Sequence, residues 1–134
     1  MVTMKELLKD KNLEDQSKEI QDNLKVLHYR INIIRKIWGK PMSITSGLRT
    51  MEDHLRIYKQ KGITDKSKIP MKSKHLYGAA VDISDPKQEL QNWCLKNVKV
   101  LEDTQLWLES FSATPNWCHF QISSPKSGKR FFIP

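Results

Sequence analysis

Apolar residues recur at alternating steps of four and three from Ile20 through Leu24, Leu27, Ile31 and Ile34 to Trp38. This is the period of one helix face, and it predicts a long amphipathic helix over about 15–38. Gly39 and Pro41 end it. Met42-Ser43-Ile44-Thr45 alternates as a strand does, and Ser46-Gly47-Leu48-Arg49-Thr50 reads as a loop leading into a second helix near 51–60. Residues 61–72 are rich in Lys, Gly and Pro, show no period and are expected to form a surface loop at the mouth of the site. A strand over Ala79–Ser84 follows. Pro86 suits a first helical turn with Asp85 as its N-cap, and Leu90, Trp93 and Cys94 give that helix a buried face as far as Asn97. Thr104 to Glu109 and Trp117 to Ile122 read as two strands paired across a loop that holds Pro115 and Asn116. There is no internal repeat, low-complexity tract or linker, so the 134 residues form one domain. Residues 1–14 are expected to be an N-terminal extension and 15–134 the core.

Composition narrows the class of partner. Apolar residues at 38% and charged residues at 28% belong to a folded globular chain. Lys and Arg outnumber Asp and Glu by 23 to 15, and the resulting charge of +8 predicts an anionic partner: nucleic acid, a lipid surface or an acidic wall polymer. The basic residues are scattered, and neither a recognition-helix motif nor an RNA-binding aromatic signature accompanies them. Nucleic acid is therefore not the expected partner. No stretch approaches a membrane span and the first residues lack the apolar run of a signal peptide, so synthesis in the cytoplasm without a leader is expected. Cys94 and Cys118 alone give no disulfide framework, and both are expected to be reduced.

Strand alternation carries the chemistry. Ala80, Asp82 and Ser84 share one face of their strand while Ala79, Val81 and Ile83 share the apolar other. Trp117, His119 and Gln121 likewise point together, opposite Cys118, Phe120 and Ile122. If both strands belong to one sheet, Asp82 and His119 project from the same polar face, and Gly78 lets the chain fold His75 back over the carboxylate. An aspartate within an apolar strand requires a cation or donors beside it. Two imidazoles and a carboxylate are a ligand set zinc hydrolases use when a fourth position stays open for water. His28 and His54, both inside predicted helices, read as surface or hydrogen-bonded residues.

The pattern SxHxxGxAxD at Ser73, His75, Gly78, Ala80 and Asp82, followed by WxH at Trp117 and His119, resembles the zinc D-alanyl-D-alanine carboxypeptidase and L-alanyl-D-glutamate peptidase family, which cleaves peptidoglycan peptides. Ser46, Gly47, Arg49 and Thr50 resemble that family's SGxRS segment. The likeness runs from about residue 20 to the C-terminus. It implies a small α+β domain whose central antiparallel sheet, flanked by helices, carries Zn2+ on one face through His75, Asp82 and His119. Arg49 would bind substrate, its planar guanidinium suiting a peptide carboxylate or a developing oxyanion. Many relatives have an acidic residue three positions before the final histidine, where this chain has Asn116. Glu109 is the expected general base instead, ahead of Glu102 and Asp103. Tyr77 and Trp117 are expected to line the cleft, Gln121 to donate to a ligand or the substrate backbone, and Ser73 to orient His75 or contact substrate.

The resemblance implies a zinc peptidase that hydrolyses an amide in the stem of bacterial peptidoglycan, acting on the wall as a monomer in the manner of phage-encoded lysins. The alternative is a zinc-bound but non-catalytic wall-binding or virion module, which Asn116 favours. Which stem bond is cut is not legible in the sequence.

Overall fold

In the computed structural model, which describes residues 1–134, the stripe Leu24, Leu27, Ile31 and Ile34 of helix α2 (Lys18–Trp38) is wholly buried. Ser17 caps the helix by accepting from the Ile20 amide, and Gly39 stops it in the left-handed region at φ 81° with its N–H on the Arg35 carbonyl. The observed start falls a few residues inside the expected one, since Leu13–Asp15 form a separate 3-10 turn.

Five strands make one sheet: β1 (Ile44–Ser46), β2 (Ala80–Ser84), β3 (Trp107–Glu109), β4 (Trp117–Gln121) and β5 (Phe131–Phe132), in the order β1-β2-β4-β3-β5. All neighbours run antiparallel except β3 and β5, which are parallel. The class is thus α+β with a mostly antiparallel sheet. β5 escaped the sequence reading because two phenylalanines have no length over which alternation can show.

Val81 and Ile83 of β2 and Cys118 and Phe120 of β4 join the α2 stripe in one buried cluster. The expected face assignment therefore holds for both strands, and the opposite face is left to Asp82 and His119. Cys94 and Cys118 are free and buried, with the Cys118 thiol donating to Asp85 at 3.3 Å.

Helix α3 (Met51–Gln60) begins with a reciprocal capping box between Thr50 and Asp53. Helix α4 (Glu89–Lys96) starts later than Pro86. Gln88 sits at φ 57° just before it, and the buried Asp85 carboxylate accepts from the Leu90 and Gln91 amides, reaching past the position expected of an adjacent N-cap. Val98–Thr104 form a further helix, α5, so the strand expected from Thr104 begins only at Trp107. Thr104 back-bonds to the Val100 carbonyl, and Gln105 at φ 55° turns the chain out of the helix.

Residues 1–14 are an integral part of the core rather than an extension. Helix α1 (Met4–Leu8) carries a Thr3–Glu6 capping box and buries Leu7 and Leu8, and the Leu48 amide donates to the Leu7 carbonyl at 2.8 Å. Five residues are too few to show a helical period, which is why the pattern misses it.

Candidate metal centre

Gly47 and Gly78 bring the first histidine into place. Gly47 lies where a Cβ would land on the Leu7 carbonyl, so only glycine lets this loop close on α1. Its own carbonyl then accepts from His75 Nδ1 at 2.9 Å. His75 belongs to a 3-10 turn, Lys74–Tyr77, that Ser73 caps by accepting from the His75 amide. Gly78 ends the turn at φ 69°, with Leu24 and Ile20 of α2 packed where a side chain would sit. The expected re-entry into β2 through an unusual glycine conformation is thus observed.

Asp82 and His119 are directly paired across β2 and β4. One carboxylate oxygen, Asp82 Oδ1, lies 3.1 Å from His75 Nε2 and 2.9 Å from His119 Nδ1. The two rings meet edge to face with centroids 5.1 Å apart. One ligand atom from each of His75, Asp82 and His119 lies within 4.8 Å of the other two, a group that could hold a metal ion.

The hydrogen-bond partners on the far side of each ring decide what the near side offers. A carbonyl can only accept, so His75 Nδ1 carries the proton and Nε2 is a lone pair when the ring is neutral. Gln121 donates its amide N–H to the Ser123 carbonyl at 2.9 Å, which turns Gln121 Oε1 toward His119 Nε2 at 3.1 Å. That nitrogen therefore donates, and His119 Nδ1 is the bare one. Two imidazole lone pairs thus face an ionised carboxylate, an arrangement that needs a cation among them. The donor set fits a divalent metal on this ground.

Charge follows from burial and neighbours. Burial pushes His75 down more than Asp82 lifts it. Burial would lower His119 as well, but the hydrogen bond and charge of Asp82, helped by Glu109, raise it overall. For Asp82 burial opposes ionisation, yet His75 and His119 together hold its carboxyl well below the usual carboxylate range.

The group lies in a cleft of about 760 Å³ whose lining includes Arg49, Ser73, Glu109, Trp117 and Gln121. The β3–β4 pairing sets Trp107 opposite Gln121 and Leu108 opposite Phe120, and the next pair in that register is Glu109 with His119. Glu109, His119 and Asp82 therefore form one cross-strand row on the polar face. Burial pushes the Glu109 carboxyl up; His119 lowers it and Asp82 raises it further. Asn116 is exposed and absent from the cleft lining.

Arg49 is held at three points. Its Nε donates to Ser46 Oγ at 2.9 Å, and its two terminal nitrogens reach His54 Nδ1 at 3.3 Å and Asp82 Oδ2 at 3.5 Å. A guanidinium has five N–H groups, so each terminal nitrogen keeps one for a ligand. Burial lowers its pKa, with Asp82 opposing, and it stays charged.

Tyr77 lies outside the cleft. It is half exposed and lines a separate groove with Asn23, Lys72, Lys74 and Ile122. Ser73 reaches the cleft, but its hydroxyl is spent on the His75 amide and not on the imidazole. Gln121 accepts from His119, where a donor role was expected. A second groove of about 650 Å³, between α1 and α3, borders Arg49 but contains none of the three ligands.

Sequence reasoning missed two cleft residues, Tyr58 and Phe132, the latter with its ring edge-on to His119 at 6.3 Å, and the link of the hydrogen-bonded His54 to Arg49 behind the cleft. Lys61, Lys66 and Lys72 of the 61–72 loop do line the cleft, as expected. His54 and Tyr58, one turn apart on α3, follow the SGLRT segment at helical spacing, and that was the available signal. Comparison of the chain with models of protein families, with curated proteins and with solved structures gives no match.

Proposed function

We propose that this protein is a zinc-dependent peptidase that hydrolyses an amide bond in the peptide stem of bacterial peptidoglycan. The observation that carries the reading is the convergence of two imidazole lone pairs and the Asp82 carboxylate in a cleft that also holds Arg49 and Glu109. Two nitrogens and one carboxylate oxygen are a ligand set of catalytic zinc, which supplies Lewis acidity and a nucleophile at neutral pH when bound there. The order of the SGLRT, SKHLYGAAVD and WCH segments, and their resemblance to the peptidoglycan peptidases, supply the substrate class.

The residues divide the work by chemistry. Glu109, its pKa raised by burial, takes a proton from the attacking water and returns it to the leaving amine nitrogen. Arg49 presents its two remaining N–H groups to the oxygen that gains charge, or to a stem carboxylate. Trp117 supplies an aromatic wall. Lys61, Lys66, Lys72 and Lys74 line the cleft and none is in an ion pair, which suits a substrate rich in carboxylates. The charge of +8 suits a wall bearing carboxylates and phosphates, reached by a lysin of the phage type.

Asn116 favours a second reading, a metal-bound wall-binding or virion module without turnover. Mass spectrometry of purified peptidoglycan incubated with the zinc-loaded protein separates the two. New stem-peptide fragments that vanish on chelation support the peptidase; bound zinc with an intact stem supports the module. His75→Ala should lose the metal, whereas Glu109→Gln should keep it and lower turnover by about 10²–10⁴-fold. Full activity in Glu109→Gln removes Glu109 from the mechanism.

A further inference from the structure

We propose that His54 is a positioning residue, fixing the guanidinium of Arg49 through a single enforced tautomer. The proposal rests on the reading of Arg49 as a substrate-binding group. His54 is completely buried one turn into α3. Its Nε2 lies 2.8 Å from the Pro70 carbonyl, in the segment that rims the cleft, and its Nδ1 lies 3.3 Å from a terminal nitrogen of Arg49. The carbonyl accepts only, so Nε2 carries the hydrogen and Nδ1 must accept. Arg49 donates only, so this tautomer alone satisfies both neighbours. Burial lowers the His54 pKa and the charges of Arg49 and Lys61 lower it further, while the Pro70 bond opposes them; the ring is neutral, as the geometry demands. Tyr58 packs against it with centroids 5.0 Å apart and fixes the ring plane.

The consequence concerns direction. Ser46 and Asp82 hold one edge each of the guanidinium. Without a third point the group could rotate toward Asp82 and close both terminal nitrogens on that carboxylate, re-aiming the N–H groups left for substrate. His54 takes one N–H on the far nitrogen and keeps the fork facing the cleft. A buried histidine that merely fills space would have no such link to Arg49.

The test is a double-mutant cycle on the zinc-loaded full chain with soluble peptidoglycan stem peptides as substrate. His54→Phe should lower kcat/KM by about tenfold or more with zinc content unchanged, since small misplacements of a binding group are costly. His54→Asn, which keeps an acceptor near the Nδ1 position and gives up the Pro70 contact, should restore most of the loss; His54→Gln, which reaches Pro70 instead, should not. In an Arg49→Ala background His54→Phe should add nothing. An additive loss there, or rescue by Gln and not by Asn, overturns the proposal in favour of a structural role for the loop contact. Exchange and rotation of the Arg49 terminal guanidinium N–H groups, followed by 15N NMR on the same variants, read the contact without turnover: both should quicken in His54→Phe and recover in His54→Asn. If no variant, wild type included, cleaves the stem peptide, the peptidase reading fails, and the NMR series still decides for or against His54.

Discussion

Asp82 is the residue on which the others depend. One of its oxygens faces both imidazoles and the other faces Arg49, so in the proposed peptidase metal ligation and substrate binding would share a single carboxylate. Support from behind is equally specific. Gln121→Leu removes the acceptor that holds His119 Nε2–H, and we expect zinc affinity to fall by about 10–100-fold, measurable by competition with a chromogenic chelator. The sign of the pH dependence follows from His119. Its pKa is raised by Asp82, and a metal needs Nδ1 bare, so affinity should rise with pH through that raised value and drop below it, with protons released on binding. Glu109 sets a different limb. Burial lifts its pKa above the ordinary glutamate value, so the acid limb of kcat/KM should lie above that value and disappear in Glu109→Gln. A limb that survives the substitution belongs to another group.

The short elements position the site, and they are the ones the sequence shows least clearly. Helix α2, helix α3, β2 and β4 were legible because each has enough residues for a period of 3.6 or 2 to repeat. From β2 and β4 came the shared face of Asp82 and His119, and from Gly78 the return of His75. Helix α1, α5 and β5 span five, seven and two residues and were missed or misread. Of these, α1 has the most direct bearing on the metal site, because the Gly47 loop that anchors His75 is itself packed on Leu7. Gly47→Ala forces a methyl group against backbone. It should cost about 1–3 kcal/mol of stability, seen as a lower Tm, and should also weaken zinc binding because His75 loses its fixed tautomer. A variant with normal Tm and normal zinc affinity would show that the loop has another way to close.

At the scale of the whole molecule, the sequence led to the fold class because its apolar faces can be buried only by placing α2 against the sheet, and Val81, Ile83, Cys118 and Phe120 do meet that helix. What alternation could not reveal was the depth of the cleft and which residues close it, since these depend on contacts between segments far apart in the chain. Tyr77 shows the limit: its neighbour in sequence, His75, faces inward, and a 3-10 turn sends the tyrosine to another groove. No helix is long and apolar enough to cross a membrane. If the protein acts on the wall as proposed, its net charge of +8 would make that association electrostatic, so retention on insoluble peptidoglycan should weaken as salt rises, whereas cleavage of a short soluble stem peptide should respond much less. Equal salt dependence in the two assays would place the effect inside the cleft.

The parallel edge strand β5 delivers the final residues to the same place, for Phe132 stands against His119 and Pro134 lines the cleft. Any polypeptide joined after Pro134, whether an affinity tag or a fused domain, would therefore emerge at the rim and compete with an incoming peptide for room. Val2 is buried and held by Asn32 of α2, so an appendage before Met1 would instead leave beside that helix, whose residues do not line the cleft.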